Sequence, residues 1–240
     1  MKHPIRALIF DMDGLLVNSE PLAARAMADF LACYGHQPRP EVAESLLGRR
    51  LPEAIAIVRE AYGLTSSVDE LTRVYGEMRL AALRGSVQPM PGAREIIALG
   101  RQLGLRLALA TSGTREHVDV SLGETGLAAQ FDVEVTGDDV RRGKPAPDLF
   151  LLTAQKLGVP PANCVVLEDA PLGVEAAKAA GMRVIAVPNE RTSSLPFPVP
   201  PDITVPNLIA AIPWLLSQAI DRPVQAPVVA PLDGAWRTAP

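Results

Sequence analysis

Ile5-Arg6-Ala7-Leu8-Ile9-Phe10-Asp11-Met12-Asp13-Gly14 is a short apolar run that ends on two carboxylates and a glycine. Such a run, bounded by turn residues, reads as a buried strand. Arg106-Leu107-Ala108-Leu109-Ala110 ends the same way at Thr111, and Cys164-Val165-Val166-Leu167 ends at Glu168-Asp169. Further strands are expected over 131–135, 183–187 and 202–205. Between them lie helical patterns over 93–103, 115–124, 148–157, 173–180 and 207–219, two of them stopping at Gly158 and Gly181. Alternating strands and helices imply an α/β fold, a Rossmann-like parallel sheet with helices on both faces. Ligands of such sheets gather at the carboxyl ends of the strands, so the polar residues just past each strand share one rim.

Residues 18–88 break the alternation with helical periods and no strand. Ser19 is placed to cap a helix running through Tyr34 to Gly35, and a helix over Pro52–Tyr62 stops at Gly63. Ser67 and Glu70 have capping-box spacing ahead of a stripe of Val68, Leu71, Tyr75, Met78 and Ala82. The chain rejoins the alternating pattern through Val87-Gln88-Pro89-Met90-Pro91-Gly92, a stiff hinge candidate. The expected organisation is a catalytic core of residues 1–17 and 89–220, an inserted small helical cap domain of residues 18–88, and a loose tail over 221–240. Nearly half of the 23 prolines fall after Val187, which marks an extended loop before the last strand and helix.

In a chain of 240 residues, 48% hydrophobic and 21% charged residues describe an ordinary globular protein. No apolar stretch approaches the roughly 20 residues that span a bilayer. A net charge of −4 argues against nucleic acid or an anionic membrane as the main partner. The partner expected is a small molecule bound by a local site, with the chain acting as a monomer or weak homodimer. Cys33 and Cys164 read as free, buried thiols. With an N-terminal apolar run too short for a secretion signal, they point to the cytoplasm.

The strand-end residues carry the chemistry. Asp11 and Asp13 at i and i+2, with Gly14 letting the backbone turn, could hold a hard cation such as Mg²⁺ through oxygen ligands. Glu168 and Asp169 bring a second acidic pair to the same rim, where unscreened carboxylates would repel one another without a cation. Only Lys2, Lys144, Lys156 and Lys178 among the 23 lysines and arginines are lysine, and Lys144 sits in a Gly143-Lys144-Pro145 turn held out of helix by the proline. Thr111-Ser112-Gly113, between a strand and a helix, offers hydroxyls and backbone N–H groups to an anion.

An Asp at the first strand, a Thr/Ser loop, a Lys and an acidic pair, in that order, closely resemble the four motifs of the haloacid dehalogenase superfamily. Asp11-Met12-Asp13-Gly14, Thr111, Lys144 and Glu168-Asp169 match in order and spacing, and the resemblance covers residues 4 to about 216. The helical insert looks like the small cap of the branch that holds β-phosphoglucomutase and the phosphoglycolate phosphatases. The resemblance implies a Mg²⁺-dependent phosphatase acting on a small phosphorylated metabolite, a sugar phosphate. In that reading Asp11 attacks phosphorus and forms an aspartyl-phosphate. Asp13 protonates the leaving alcohol and then deprotonates the hydrolytic water, while Thr111, Ser112, Gly113 and Lys144 hold the phosphate. The Asp11 carboxylate, the Asp13 main-chain carbonyl and Asp169 hold Mg²⁺, with Glu168 supporting the metal site from behind these ligands or through water.

Departures from the family pattern sort the branches. Asp13 sets the chain apart from the dehalogenases, and residues 18–88 lack the lysine of the phosphonatases. Ala23 stands where the mutase branch carries a histidine, which favours phosphatase over phosphosugar mutase. Asn18 replaces the Asp found in many relatives. A phospho-acceptor signalling module and a non-catalytic binding protein remain as remote alternatives, and neither needs Asp13. In Leu47-Gly48-Arg49-Arg50, Arg49 is the candidate that reaches toward substrate, whereas Arg50 is expected on a solvated helix end. His3, His36 and His117 fall outside every motif and are assigned no role.

Overall fold

The sheet is built on β1 (Ala7–Phe10), all four of whose residues are buried. In the computed structural model, which describes residues 3–219, β1 lies between β2 (Arg106–Ala110) and β4 (Cys164–Glu168), parallel to both. Adding β3 (Val133–Val135), β5 (Arg183–Ala186) and β6 (Ile203–Thr204) gives a six-stranded parallel sheet in the order β3-β2-β1-β4-β5-β6. Register decides what comes next, because Phe10 stands opposite both Leu109 and Leu167. Asp11, Thr111 and Glu168 therefore emerge at nearly one level on three adjacent strands.

Alternation of side chains divides the strands between two cores. Leu8, Phe10, Leu107, Leu109 and Leu167 face α5 (Ala93–Gln102), α6 (Arg115–Thr125) and α9 (Leu208–Ala219). Ala7, Ile9, Ala108, Ala110 and Val166 face α7 (Asp148–Leu157) and α8 (Pro171–Ala179), where the alanines let Leu149 and Phe150 pack close. Each large apolar side chain taken out of water in these layers contributes about 1.5–3 kcal/mol. The expected Rossmann-like core is thus present, with the outer strands shorter than their apolar runs suggested. Among the described residues no helix is long and apolar enough to cross a membrane.

Between β1 and α5 the chain builds α1 (Glu20–Ala32), α2 (Pro40–Leu46), α3 (Leu51–Tyr62) and α4 (Val68–Leu83). These helices have a core of their own in Phe30, Leu31, Ile55, Val58, Leu71 and Tyr75, with the rings of Phe30 and Tyr75 5.5 Å apart, edge to face. The insert leaves and returns at one place. Asn18 N donates to Gln88 O at 2.8 Å and Met90 N to Leu16 O at 2.8 Å, so the two crossings run side by side.

Three local readings are corrected. Ser19 stands at the start of α1 but makes no side-chain cap; its hydroxyl is spent elsewhere, and α1 stops at Ala32. The seven-residue α2 was not foreseen, since it buries only Val42 and leaves no periodicity to detect. Cys33 is exposed, not buried, because it lies just past the end of α1; Cys164 is buried in β4, and both thiols are free. The expected tail, 221–240, lies outside the described residues.

Candidate active site

Asp11 is the first residue after β1 and is 5% exposed. Lys144 Nζ donates to Asp11 Oδ1 at 2.6 Å and also to Glu168 Oε1, so one buried ammonium joins two strand ends. The other Glu168 oxygen accepts from Ala170 N at 2.7 Å, and Asp169 Oδ2 accepts from Asn189 Nδ2 at 2.7 Å. Burial and the neighbouring Asp13 and Glu168 charges push the Asp11 carboxyl up to about 8 against the pull of Lys144. Burial, then Glu168 and Asp11, push Asp169 well above the usual carboxylate range. Burial alone would depress Lys144, but Asp11 and Glu168 outweigh it and hold the ammonium charged.

One carboxylate oxygen each from Asp11, Glu168 and Asp169 can be chosen so that all three lie within 4.8 Å of one another. A buried, all-oxygen, anionic donor set fits a hard divalent cation. Such an ion would relieve the crowding that drives Asp11 and Asp169 toward their neutral forms. Gly14 makes room for the cluster, since its φ of +76° suits a residue without a side chain. A Cβ there would come within 2.5 Å of Asn189 Nδ2 and 2.7 Å of Asp169 Oδ2.

The Asp13 side chain turns away from that cluster. Its carboxylate accepts from Ser19 Oγ, stands 3.0 Å from His117 Nε2 and 3.4 Å from an Arg79 Nη2 that α4 carries over from the insert. Burial pushes Asp13 up, but His117 and Arg79 outweigh burial and hold it well below the usual carboxylate range. Burial and the charge of Arg79 lower His117 against the pull of Asp13.

Thr111 is buried at the end of β2, and its Oγ1 accepts from Gly113 N at 3.0 Å. Ser112 Oγ donates across to Gly48 O of the insert at 2.8 Å. Helix α6 begins only at Arg115, capped by Thr114 Oγ1. A cavity of about 360 Å³ lies between sheet rim and insert, and Asp11, Asp13, Thr111, Ser112, Gly113, Lys144, Glu168, Asp169 and Arg49 all line it. Its far wall is formed by Ala23, Met27, Leu46, Leu51, Tyr75 and Arg79 of the insert. The nine residues proposed from the sequence as site residues therefore border one space.

Arg50 overturns its expectation. It is not a solvated arginine: with its side chain 20% exposed, it pairs with Glu53 Oε1 at 2.6 Å and donates to Val140 O at 2.7 Å and Arg141 O at 3.0 Å in the core. Sequence reasoning also missed His117, Arg79, Ser19 and Asn189. A usable signal existed for His117. His117, Ser121 and Thr125 repeat every four residues on the buried face of α6, where an amphipathic helix ordinarily carries apolar side chains. Arg79 and Asn189 act across long sequence separations, where nothing local marks them, while Ser19 lies only six positions from Asp13.

Parallel sheet, acidic rim, buried lysine and helical insert together define a hydrolase whose site forms where an α/β core meets an insert. Residues 5–181 match the family model described as haloacid dehalogenase-like hydrolase, and the chain belongs to that family of enzymes. It is 34% identical over 181 residues to the phosphorylated carbohydrates phosphatase of Thermotoga maritima, covering 75% of this chain and 84% of that one. It is 33% identical over 190 residues to the bifunctional riboflavin kinase/FMN phosphatase of Arabidopsis thaliana, covering 79% of this chain but only 50% of that protein. The crystal structure of CbbY from Rhodobacter sphaeroides in complex with phosphate superposes with a TM-score of 0.77 at 29% identity, over 86% of this chain and 96% of that one.

Proposed function

We propose that the protein is a Mg²⁺-dependent phosphatase that hydrolyses a small phosphorylated metabolite, a sugar phosphate, through an aspartyl-phosphate on Asp11. The observation that carries this reading is the Asp11 carboxylate, held by Lys144 at 2.6 Å beside two further buried acids and open to the cavity. The name of the Thermotoga relative supports the substrate class.

A carboxylate and a phosphate dianion repel, so the site must neutralise charge before Asp11 can approach phosphorus. Lys144 supplies one positive charge. The Asp11 carboxylate, the Asp13 main-chain carbonyl and Asp169 would hold Mg²⁺, with Glu168 behind them, and the ion would supply the remaining neutralisation. Thr111 Oγ1, which accepts from Gly113 N and still has its own proton to donate, would orient a phosphoryl oxygen for in-line attack, with Ser112 and Gly113 shaping the loop that holds it. Asp11 forms its bond to phosphorus as the bond to the leaving oxygen breaks, and Asp13 delivers the proton to that oxygen. Asp13 then takes a proton from the water that cleaves the aspartyl-phosphate. The first step needs Asp13 protonated and the second needs it ionised; Arg79 and His117 favour the second form. The insert covers the rim as a cap, and Ala23, where the mutase branch carries a histidine, lines the cavity, which favours hydrolysis over phosphoryl return. Two free thiols suit a cytoplasmic enzyme.

The test is phosphate release from a panel of phosphorylated sugars and small acids, with and without chelator. Activity is expected to vanish with EDTA and to return with Mg²⁺, while Ca²⁺, with its longer and looser coordination, inhibits. Turnover that survives chelation, or release of halide in place of phosphate, would sink this reading.

A further inference from the structure

We propose that Arg50 is a positioning residue: from the insert, its guanidinium holds the core turn that presents Lys144, so that closing the cap and setting Lys144 against Asp11 are one event. The proposal deepens the phosphatase reading and rests on it for what Lys144 does. Arg50 directly precedes α3 in the loop that follows Gly48. Its Nε and Nη2 both donate to Glu53 Oε1, at 2.9 and 2.6 Å, a charge-assisted fork that fixes the guanidinium plane. The remaining donors face the core: Nη1 reaches Val140 O at 2.7 Å and Gly137 O at 3.4 Å, and Nη2 reaches Arg141 O at 3.0 Å. Three carbonyls of one turn are thus gathered by one cation, three residues ahead of Lys144.

Two further observations tie this clasp to the phosphate-facing rim. The turn is joined to the Thr111 loop, since Gly137 N donates to Gly113 O at 2.8 Å, and Ser112 Oγ donates to Gly48 O at 2.8 Å. The insert loop 48–50 therefore touches both core segments that present Ser112 and Lys144. Shape agrees with charge at Gly143, the neighbour of Lys144. A Cβ there would fall 2.7 Å from Glu53 Oε2 and 3.0 Å from Arg50 Cγ, so the Arg50–Glu53 pair seats against bare backbone. Without Arg50 the turn loses its cation, and the lysine that must meet Asp11 loses the support of its turn.

The experiment uses the full chain and two readouts. Amide hydrogen exchange of a peptide spanning 137–146 is expected to rise by about fivefold or more in Arg50→Ala while β1 and β4 keep wild-type protection. The kcat is expected to fall by about tenfold or more on a sugar phosphate and on p-nitrophenyl phosphate alike, with KM changing little. Arg50→Lys, which keeps the charge and loses the fork, recovers part of the kcat. Gly143→Ala, which wedges the same contact from the core side, is expected to reproduce both effects. Unchanged exchange over 137–146, or a loss confined to the sugar phosphate, overturns the proposal, as does loss of protection throughout the sheet. If the wild type releases no phosphate, the phosphatase reading fails, while the exchange comparison still decides whether Arg50 holds the turn.

Discussion

His117 Nε2 lies 3.0 Å from Asp13 Oδ1, with only 3% of the histidine side chain exposed. Helix α6 carries this imidazole beneath the rim and aims it at the carboxylate proposed to move protons. Burial and Arg79 lower its pKa while Asp13 raises it, so its proton balance is tied to that of Asp13. His117→Ala is expected to lower kcat by about 10- to 100-fold, a part of the 10²–10⁴ that a placed acid–base group contributes. His117→Gln, which can still donate, retains more. Steady-state kinetics beside thermal unfolding would check this, and wild-type kcat in the alanine variant would remove His117 from the mechanism.

Asp11→Asn removes the nucleophile and keeps its shape. Because burial already pushes this carboxyl up to about 8, the neutral amide suits its surroundings. Turnover is expected to fall by more than about a thousandfold, with the unfolding temperature held or raised. A folded variant that keeps a tenth of the activity would place the nucleophile elsewhere.

Arg49 lines the cavity while its Nε donates to Ser45 O at 2.7 Å, which leaves the tip of the guanidinium for the leaving group. Arg49→Ala is expected to cut kcat/KM for the best sugar phosphate by more than about tenfold, or about 1.4 kcal/mol, and to leave p-nitrophenyl phosphate little changed. Equal losses on both substrates would assign Arg49 to the stability of the cap.

Asp132 governs acid stability away from the site. Its carboxylate accepts from Leu107 N at 2.8 Å and pairs with Arg101 at 2.9 Å. Burial opposes ionisation, but the Leu107 N–H and Arg101 outweigh it and depress the folded value below the ordinary 3.8. A depressed carboxyl stabilises the fold above its unfolded pKa and loses that contribution as pH falls through the lower folded value. Asp132→Asn is expected to cost about 1 kcal/mol at pH 7 and progressively less as pH falls below 3.8 toward the lower folded value. Denaturant midpoints across that range would check it, and a gap independent of pH would show that the charge is irrelevant.

The rim was legible because each of its residues follows an apolar run, and parallel strands in register carry run-ends to one edge. Asp11, Thr111, Glu168 and Asp169 were found in that way, and Lys144 by its rarity in an arginine-rich chain and its place in a Gly-Lys-Pro turn. The residues that tune them were not, because they act between segments far apart in the chain: Arg79 reaches Asp13 from α4, and Arg50 reaches Val140 across 90 positions. Arg50 was misread for a physical reason. A loop arginine beside a helix start looks solvated until the surface that covers it is known. Ser19 misled in a similar way, since its hydroxyl serves Asp13 and not the helix it opens.

The crossings at Asn18–Gln88 and Leu16–Met90 carry one more consequence. Because the insert departs and rejoins at neighbouring backbone positions, replacing everything between them with a different helical unit needs only two splices and leaves every strand of the sheet untouched. The reacting groups stay with the strands, while most of the wall that meets the rest of the substrate travels with the transplanted piece. Appetite for a new ester can thus be grafted onto unaltered chemistry, provided the graft brings its own cation to the seat beside Gly143.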